Sequence, residues 1–317
     1  MLDPRPRFRT LAVLAGAAAL LLSSCASQAQ PGGADDHVAI VVGAYPFQFA
    51  AERVAGEHAE VTNLLAPGAD SHGLELSPQQ VATVTGADLV VHQSGYQPAL
   101  DEVIAQQQPT RVLDTGDFVR LLPASGHGEA HEHSADDDHD HDHGGYDPHV
   151  WLDPTNLVRI GDQIAAQLAQ ADPGNADTYR ANAADLAAEL TELDEQFAAG
   201  LANCRTETFI TNHAAFGYLA DRYHLHQVAI SGLSAEAEPS PARIAEVQQI
   251  ARDHDLTTIF YETSVSPKLA EAIASDLGLQ TDVLDPLETL APDARGADYL
   301  EVMTANLDAL RKANGCR

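Results

Sequence analysis

Residues 176–201, ADTYRANAADLAAELTELDEQFAAGL, run without proline or glycine as far as Gly200 and carry Leu186, Leu190, Leu193 and Phe197 at intervals of 4, 3 and 4. That spacing puts the four apolar side chains on one face of a helix, and the alanines and glutamates around them favour helix elsewhere. At 1.5 Å per residue such a helix reaches about 39 Å, enough to serve as a rigid backbone between two lobes.

The chain on either side has the same grammar. Before it, short β-branched runs at Val38–Val42, 60–65, Leu89–His92 and 110–113 alternate with amphipathic stretches at 46–55, 78–85 and Pro98–Gln107. Each stretch opens with a proline, which suits a first helical turn. After it, strand-like runs at Thr208–Thr211, 227–230, 257–261 and 281–284 alternate with helical patterns at 214–222, 241–254, 267–277 and 297–312. Strands separated by helices build parallel sheets, so the expected fold is α/β: two lobes, each a parallel-sheet α/β domain, joined by one long rigid linking helix. The boundaries read as an N-terminal lobe at 37–172, the linking helix at 173–203 and a C-terminal lobe at 204–317.

Residues 1–24 read as a secretory signal, with Arg5, Arg7 and Arg9 ahead of an apolar run at 11–22. The small residues before Cys25 look like the lipobox of bacterial lipoproteins, which makes Cys25 the lipidated first residue of the mature chain. An uncleaved anchor is the alternative, with the same topology. Residues 25–36, rich in Ala, Gln and Gly, form a flexible tether. The expected location is extracytoplasmic, lipid-anchored to the bacterial cell membrane. The formal charge of -30 repels nucleic acid and anionic lipid alike, so membrane contact is expected through the lipid anchor only. With Cys25 assigned to lipid, Cys204 and Cys316 remain as a pair in an oxidising compartment, and a disulfide is expected. Two thiolate zinc ligands are the alternative, though no CxxC spacing supports it.

Between the last strand of the first half and the linking helix lies a His/Asp-rich loop, residues 125–146. His127, His131, His133, His139, His141 and His143 alternate there with carboxylates in a glycine-punctuated run. Imidazole is the common side-chain ligand of first-row transition metals, and such a run offers several weak, interchangeable sites. A solvated acidic linker is the plainer reading.

Four further phrases place candidate ligands near strand ends, where open parallel sheets collect their ligands. They are PGADSHG with His72, DPHVWLDP with His149, TNHAAFGY with His213 and VLDP with Asp285. Singly, each histidine is as well explained by structural hydrogen bonding. In this order, and together with the acidic insert, GLSAEAEPSP, IFYET and GADYLEVMTANLDALR, they closely resemble the solute-binding lipoproteins of ABC metal importers, the cluster A-I zinc and manganese family. The resemblance covers essentially the whole mature chain.

That resemblance implies His72 and His149 from one lobe and His213 and Asp285 from the other, closing on a metal in the interlobe cleft. Glu262 and Glu288 are the alternatives to Asp285, with Glu262 also suited to holding an imidazole tautomer. Asp70 and Asp153 have a similar option, with loop capping as the simpler one. Trp151 and Phe216 either wall the cleft or pack the core. In this family histidine at the third ligand position accompanies zinc and glutamate accompanies manganese, so His213 favours Zn²⁺ as cargo. Three imidazoles and one carboxylate suit tetrahedral zinc on chemical grounds as well. The expectation is one tight Zn²⁺ site with additional weak sites in the loop.

The implied activity is extracytoplasmic capture of Zn²⁺ by a monomer and its delivery to an ABC permease and its ATPase. A zinc metallochaperone is a further partner to consider. Four protein ligands leave no position for an activated water, and neither HExxH nor GxxxxGK[ST] occurs, so an enzyme is not expected. A metal-binding adhesin, a zinc buffer, a metallochaperone and a manganese carrier are the alternatives.

Overall fold

The computed structural model describes residues 37–124, 145–234, 237–264 and 266–317. The signal segment 1–24, Cys25, the tether 25–36 and His127, His131, His133, His139, His141 and His143 lie outside the described residues.

Val38–Val42 (β1), Ala59–Asn63 (β2), Leu89–His92 (β3) and Val112–Asp114 (β4) pair in parallel in the order β2-β1-β3-β4. Thr208–Thr211 (β5), His226–Ala229 (β6), Thr258–Tyr261 (β7) and Gln280–Val283 (β8) repeat that plan as β6-β5-β7-β8. In both sheets the first strand lies inside and the connections depart to opposite sides of it, which opens a crevice at the carboxyl ends.

The helices are Tyr45–Ala55 (α1), Pro78–Gly86 (α2), Pro98–Gln107 (α3), Pro154–Ala171 (α4), Ala176–Leu201 (α5), Gly217–Tyr223 (α6), Pro241–Asp253 (α7), Lys268–Leu277 (α8) and Tyr299–Asn314 (α9). Proline occupies the first turn of α1, α2, α3, α4 and α7. Two helix starts fall two or more residues later than periodicity suggests, each for a local reason. The backbone from Ala214 to Phe216 is held instead by Gly232 O and Gln227 Oε1, so α6 begins at Gly217. Asp298 accepts from Glu301 N and caps α9, which therefore begins at Tyr299.

Each lobe buries one sheet face under its own helices. Val41, Leu64, Val84, Val90 and Leu100 form one such outer cluster, and Ile210, Val247, Ile259, Ala270 and Ile273 form the other. The opposite faces share a single larger core, in which Ile40, Phe47 and Trp151 join Phe197, Phe209, Phe260, Leu284 and Tyr299. Both sheets accordingly belong to one compact unit, His37–Arg317.

Helix α5 carries that continuity. In its first half Asn182 Nδ2 donates to Val54 O at 3.0 Å and at its middle Glu189 pairs with Arg53 at 2.7 Å, both partners on α1. Near its end Asp194 pairs with Arg222 at 2.6 Å and accepts from the Tyr223 hydroxyl at 3.0 Å, both on α6. The apolar stripe that alternates with these contacts, Leu186 to Phe197, is fully or nearly fully buried. Just beyond α5, Cys204 is disulfide-bonded to Cys316 beyond α9. The base of the His/Asp-rich insert is closed by Ala124 N to Gly145 O and Asp147 N to Leu122 O, both 2.9 Å. Among the described residues no helix is long and apolar enough to cross a membrane.

Candidate metal centre

His72 sits on the loop after β2. Asp70 accepts from the backbone N–H of His72 at 3.1 Å and of Gly73 at 3.0 Å, which folds the loop tightly around its own side chain. A Cβ on Gly73 would stand 2.6 Å from Asp70 Oδ2, so a side chain there would push this carboxylate aside.

His149 follows Pro148, and Asp147 Oδ1 lies 2.9 Å from the His149 backbone nitrogen and 2.7 Å from ring Nδ1. One carboxylate oxygen thus fixes both the backbone and the tautomer of the histidine two residues on. Gly217, opening α6, leaves room for this carboxylate, since a Cβ there would lie 2.4 Å from Asp147 Oδ2. The Tyr218 hydroxyl donates to Asp147 O at 3.1 Å and accepts from Leu122 N at 3.0 Å, which ties the His149 loop to the other lobe.

His213 leaves the end of β5. Its carbonyl accepts from Thr211 Oγ1 at 2.7 Å and from Gln227 Nε2 at 2.9 Å, and its Nδ1 lies 2.8 Å from Glu262 Oε1 just past β7. Asn212 Nδ2 also donates to Glu262.

The fourth side chain at this point is Glu288. Its Oε1 is 3.3 Å from His72 Nε2, 3.0 Å from His149 Nε2 and 3.3 Å from His213 Nε2. One ligand atom from each of the four residues lies within 4.8 Å of the other three. Donors at about 2.0–2.1 Å from a tetrahedral ion stand about 3.3–3.4 Å apart, so these contacts have the edge length of a zinc coordination shell. His149 and His213 are fully buried, and Glu288 is 8% exposed.

Asp285, the residue implied as fourth ligand, is not one of the four. Its Oδ1 accepts from Leu287 N at 2.8 Å and its Oδ2 from Thr263 Oγ1 at 3.1 Å, while its own N–H donates to Asn306. Its carboxylate shapes the turn that carries Glu288 inward, with Leu287 in the left-handed region at φ 61°. Further bonds dock this turn on the N-terminal lobe: Trp151 Nε1 donates to Pro286 O at 2.7 Å, Tyr45 N to Glu288 O at 3.0 Å and Gly68 N to Thr289 Oγ1 at 3.1 Å. Glu262 lies behind His213, as a tautomer-holding residue would. Asp70 closes its own loop, and Asp153 accepts from Thr155 N to cap α4. Trp151 is packed edge-on against His149, with ring centroids 5.5 Å apart, whereas Phe216 packs on Phe209 in the shared core.

Asp147 is not among the candidates the sequence offers, although an aspartate separated from a histidine by one proline is a recognisable local signal.

The electrostatics follow from this crowding. Burial is the strongest influence on His213 and pushes it down, but the charge and hydrogen bond of Glu262, joined by Glu288, carry it up to about 10. Burial likewise lowers His149, and the hydrogen bond and charge of Asp147, with Glu288, outweigh it and leave the ring above its ordinary value. Burial pushes Glu288 up, yet the charge of His72 and hydrogen bonds from the three rings hold it well below the usual carboxylate range. Asp285 is raised to about 6, mainly by burial, with Glu262 and Glu288 adding and its hydrogen bonds opposing.

The family described as zinc-uptake complex component A, periplasmic, matches residues 40–313. Zinc-binding lipoprotein AdcA of Streptococcus pneumoniae is 36% identical over 306 residues, covering 95% of this chain and 60% of the relative, so the chain spans about three-fifths of that protein's length. The high-affinity zinc uptake system protein ZnuA of Bacillus subtilis is 35% identical over 301 residues, covering 92% of this chain and 93% of the relative. The crystal structure of the Zn(II)-bound ZnuA-like domain of Streptococcus pneumoniae AdcA superposes with a TM-score of 0.73 at 33% identity, covering 88% of this chain and 99% of that one. The chain belongs to the ZnuA family, the periplasmic component A of zinc-uptake complexes, whose members are solute-binding proteins and not enzymes.

Proposed function

We propose that this protein captures one Zn²⁺ between its lobes, on Nε2 of His72, His149 and His213 and Oε1 of Glu288, and delivers it to the permease of an ATP-driven importer. The observation that carries the reading is the approach of three imidazole nitrogens from both lobes to one carboxylate oxygen at 3.0–3.3 Å. Three nitrogens and one oxygen match tetrahedral zinc, and oxygen-seeking ions such as Mn²⁺ are served less well. With four protein donors the shell is complete, which suits carriage of an ion rather than activation of water on it.

The chemistry of the chain's own residues is proton exchange. Asp147 and Glu262 hold the Nδ1 sides of His149 and His213, so the Nε2 lone pairs face the ion once their protons have left. The His/Asp-rich insert supplies additional weak sites that raise the local metal concentration, and Cys25 supplies the lipid attachment.

Anomalous diffraction at the zinc edge from purified, zinc-loaded protein tests the assignment. One strong peak bounded by the four named side chains is expected. A peak elsewhere, or replacement of His213 by Ala weakening zinc binding no more than replacement of the exposed His226 does, would overturn it.

A further inference from the structure

We propose that Ser71 sets the denticity of Glu288 and so the metal selectivity of the site, an inference that rests on the zinc-capture reading. A carboxylate can offer an ion one oxygen or two. Here Oε1 faces the three imidazoles, while Oε2 accepts a hydrogen bond from Ser71 Oγ at 2.5 Å. The loop therefore delivers the His72 ring to one oxygen of Glu288 and the hydroxyl of the preceding residue to the other.

Ser71 is held in place for this. It is fully buried, and its carbonyl accepts from Gln97 Nε2 at 3.1 Å. The same Gln97 amide donates to Gly43 O at 2.8 Å, at the end of β1. Gly43 lets this amide approach, because a Cβ there would stand 2.3 Å from Gln97 Oε1. The hydroxyl is thus built onto the sheet through a buried amide.

A hydrogen bond to an ionised oxygen is of the strong class, and breaking one in a dry site leaves a donor unsatisfied. Zn²⁺ has no need to break it, since Oε1 and three nitrogens complete a tetrahedron. An ion that prefers more oxygen donors gains by drawing in Oε2 as well, and must first take it from Ser71. Ser71 is a positioning residue that disfavours such ions without touching the metal.

The test compares the full chain with its Ser71→Ala and Ser71→Thr variants by X-ray absorption at the zinc edge and by chelator competition with Zn²⁺ and Mn²⁺. Wild type is expected to show three nitrogens and one oxygen. Ser71→Ala is expected to gain a second oxygen and to narrow the ratio of Mn²⁺ to Zn²⁺ dissociation constants by about tenfold, the weight of one charge-assisted hydrogen bond. Ser71→Thr keeps the donor and should restore the wild-type ratio, which a purely structural role for Ser71 would not require. Two oxygens from Glu288 in wild type, or an unchanged ratio in Ser71→Ala, would overturn the proposal while leaving zinc capture standing. Absence of tight zinc binding in wild type would instead overturn zinc capture itself. The wild-type spectrum decides the denticity even if Ser71→Ala fails to fold.

Discussion

Glu262 holds Oε1 2.8 Å from Nδ1 of His213 in a place where both side chains are screened from solvent. The contact makes the ring basic and orients its other nitrogen toward Glu288. Replacement of Glu262 by Gln removes the charge and keeps the shape. Zinc affinity is expected to fall by about 10–100-fold, as for other carboxylates that support a metal-bound histidine. Competition with a fluorescent chelator at fixed pH measures it, and an unchanged affinity would remove Glu262 from the site.

The raised His213 sets the pH dependence. At about 10 in the metal-free protein, the ring is protonated at neutral pH and zinc must displace that proton. Affinity should therefore weaken as pH falls and should keep rising from pH 7 to about 9, well beyond the ordinary histidine range. The linkage for stability has a definite sign. A folded value above the unfolded value of about 6.5 stabilises the metal-free fold fully below pH 6.5, and this contribution is lost as pH rises toward 10. Melting of metal-free protein should fall over that interval more than that of zinc-loaded protein, and calorimetry in buffers of different ionisation enthalpy should detect proton release on binding.

Glu288 and Asp285 stand three residues apart and should respond differently to substitution. Glu288→Ala removes a donor from the ion and is expected to weaken zinc binding at least about 100-fold, the scale of losing a charged, desolvated partner. Asp285→Ala removes two hydrogen bonds from the turn and is expected to lower stability by about 1–3 kcal/mol, with a smaller effect on affinity. Chelator competition and thermal melts of both variants separate the roles, and the reverse ranking in affinity would restore Asp285 as the ligand.

The disulfide closes a sequence separation of 112 residues between the ends of α5 and α9. Replacing Cys204 and Cys316 together by Ser is expected to cost about 2–5 kcal/mol of stability. Zinc stoichiometry should stay at one, because neither cysteine is among the four clustered donors. Denaturant unfolding and metal analysis check the two halves of this expectation.

Replacing residues 125–144 by a short Gly-Ser connection leaves the closing bonds between Ala124 and Gly145 and between Leu122 and Asp147 available. Weak zinc binding should disappear and the tight site should remain, as read by isothermal titration. Loss of the tight site would show that the insert is part of it.

Much of the fold is local and was legible in one dimension. Proline-opened helices, short β-branched strands and the 26-residue stretch of α5 follow from backbone preferences and apolar spacing, which depend on near neighbours along the chain. Three of the clustered donors, His72, His149 and His213, are candidates because each is a histidine set in a Pro-, Gly- or Asn-marked loop near a strand end or insert, and the resemblance to metal-binding lipoproteins singles them out. It does not single out the fourth. Asp285 and Glu288 are both carboxylates after β8, and composition cannot say which joins the three imidazoles. That choice rests on the left-handed backbone at Leu287, on Asp285 spending its oxygens on Leu287 N and Thr263, and on the docking of Pro286 and Thr289 against the other lobe. Ser71 illustrates the same limit, since its hydroxyl meets Glu288 only when 217 residues of chain fold back to bring the carboxylate to it. Side-chain type and spacing along the chain determined what this protein could bind. Contacts between residues distant in sequence decided which carboxylate oxygen faces the three imidazoles, because direction in space is a property of the assembled lobes.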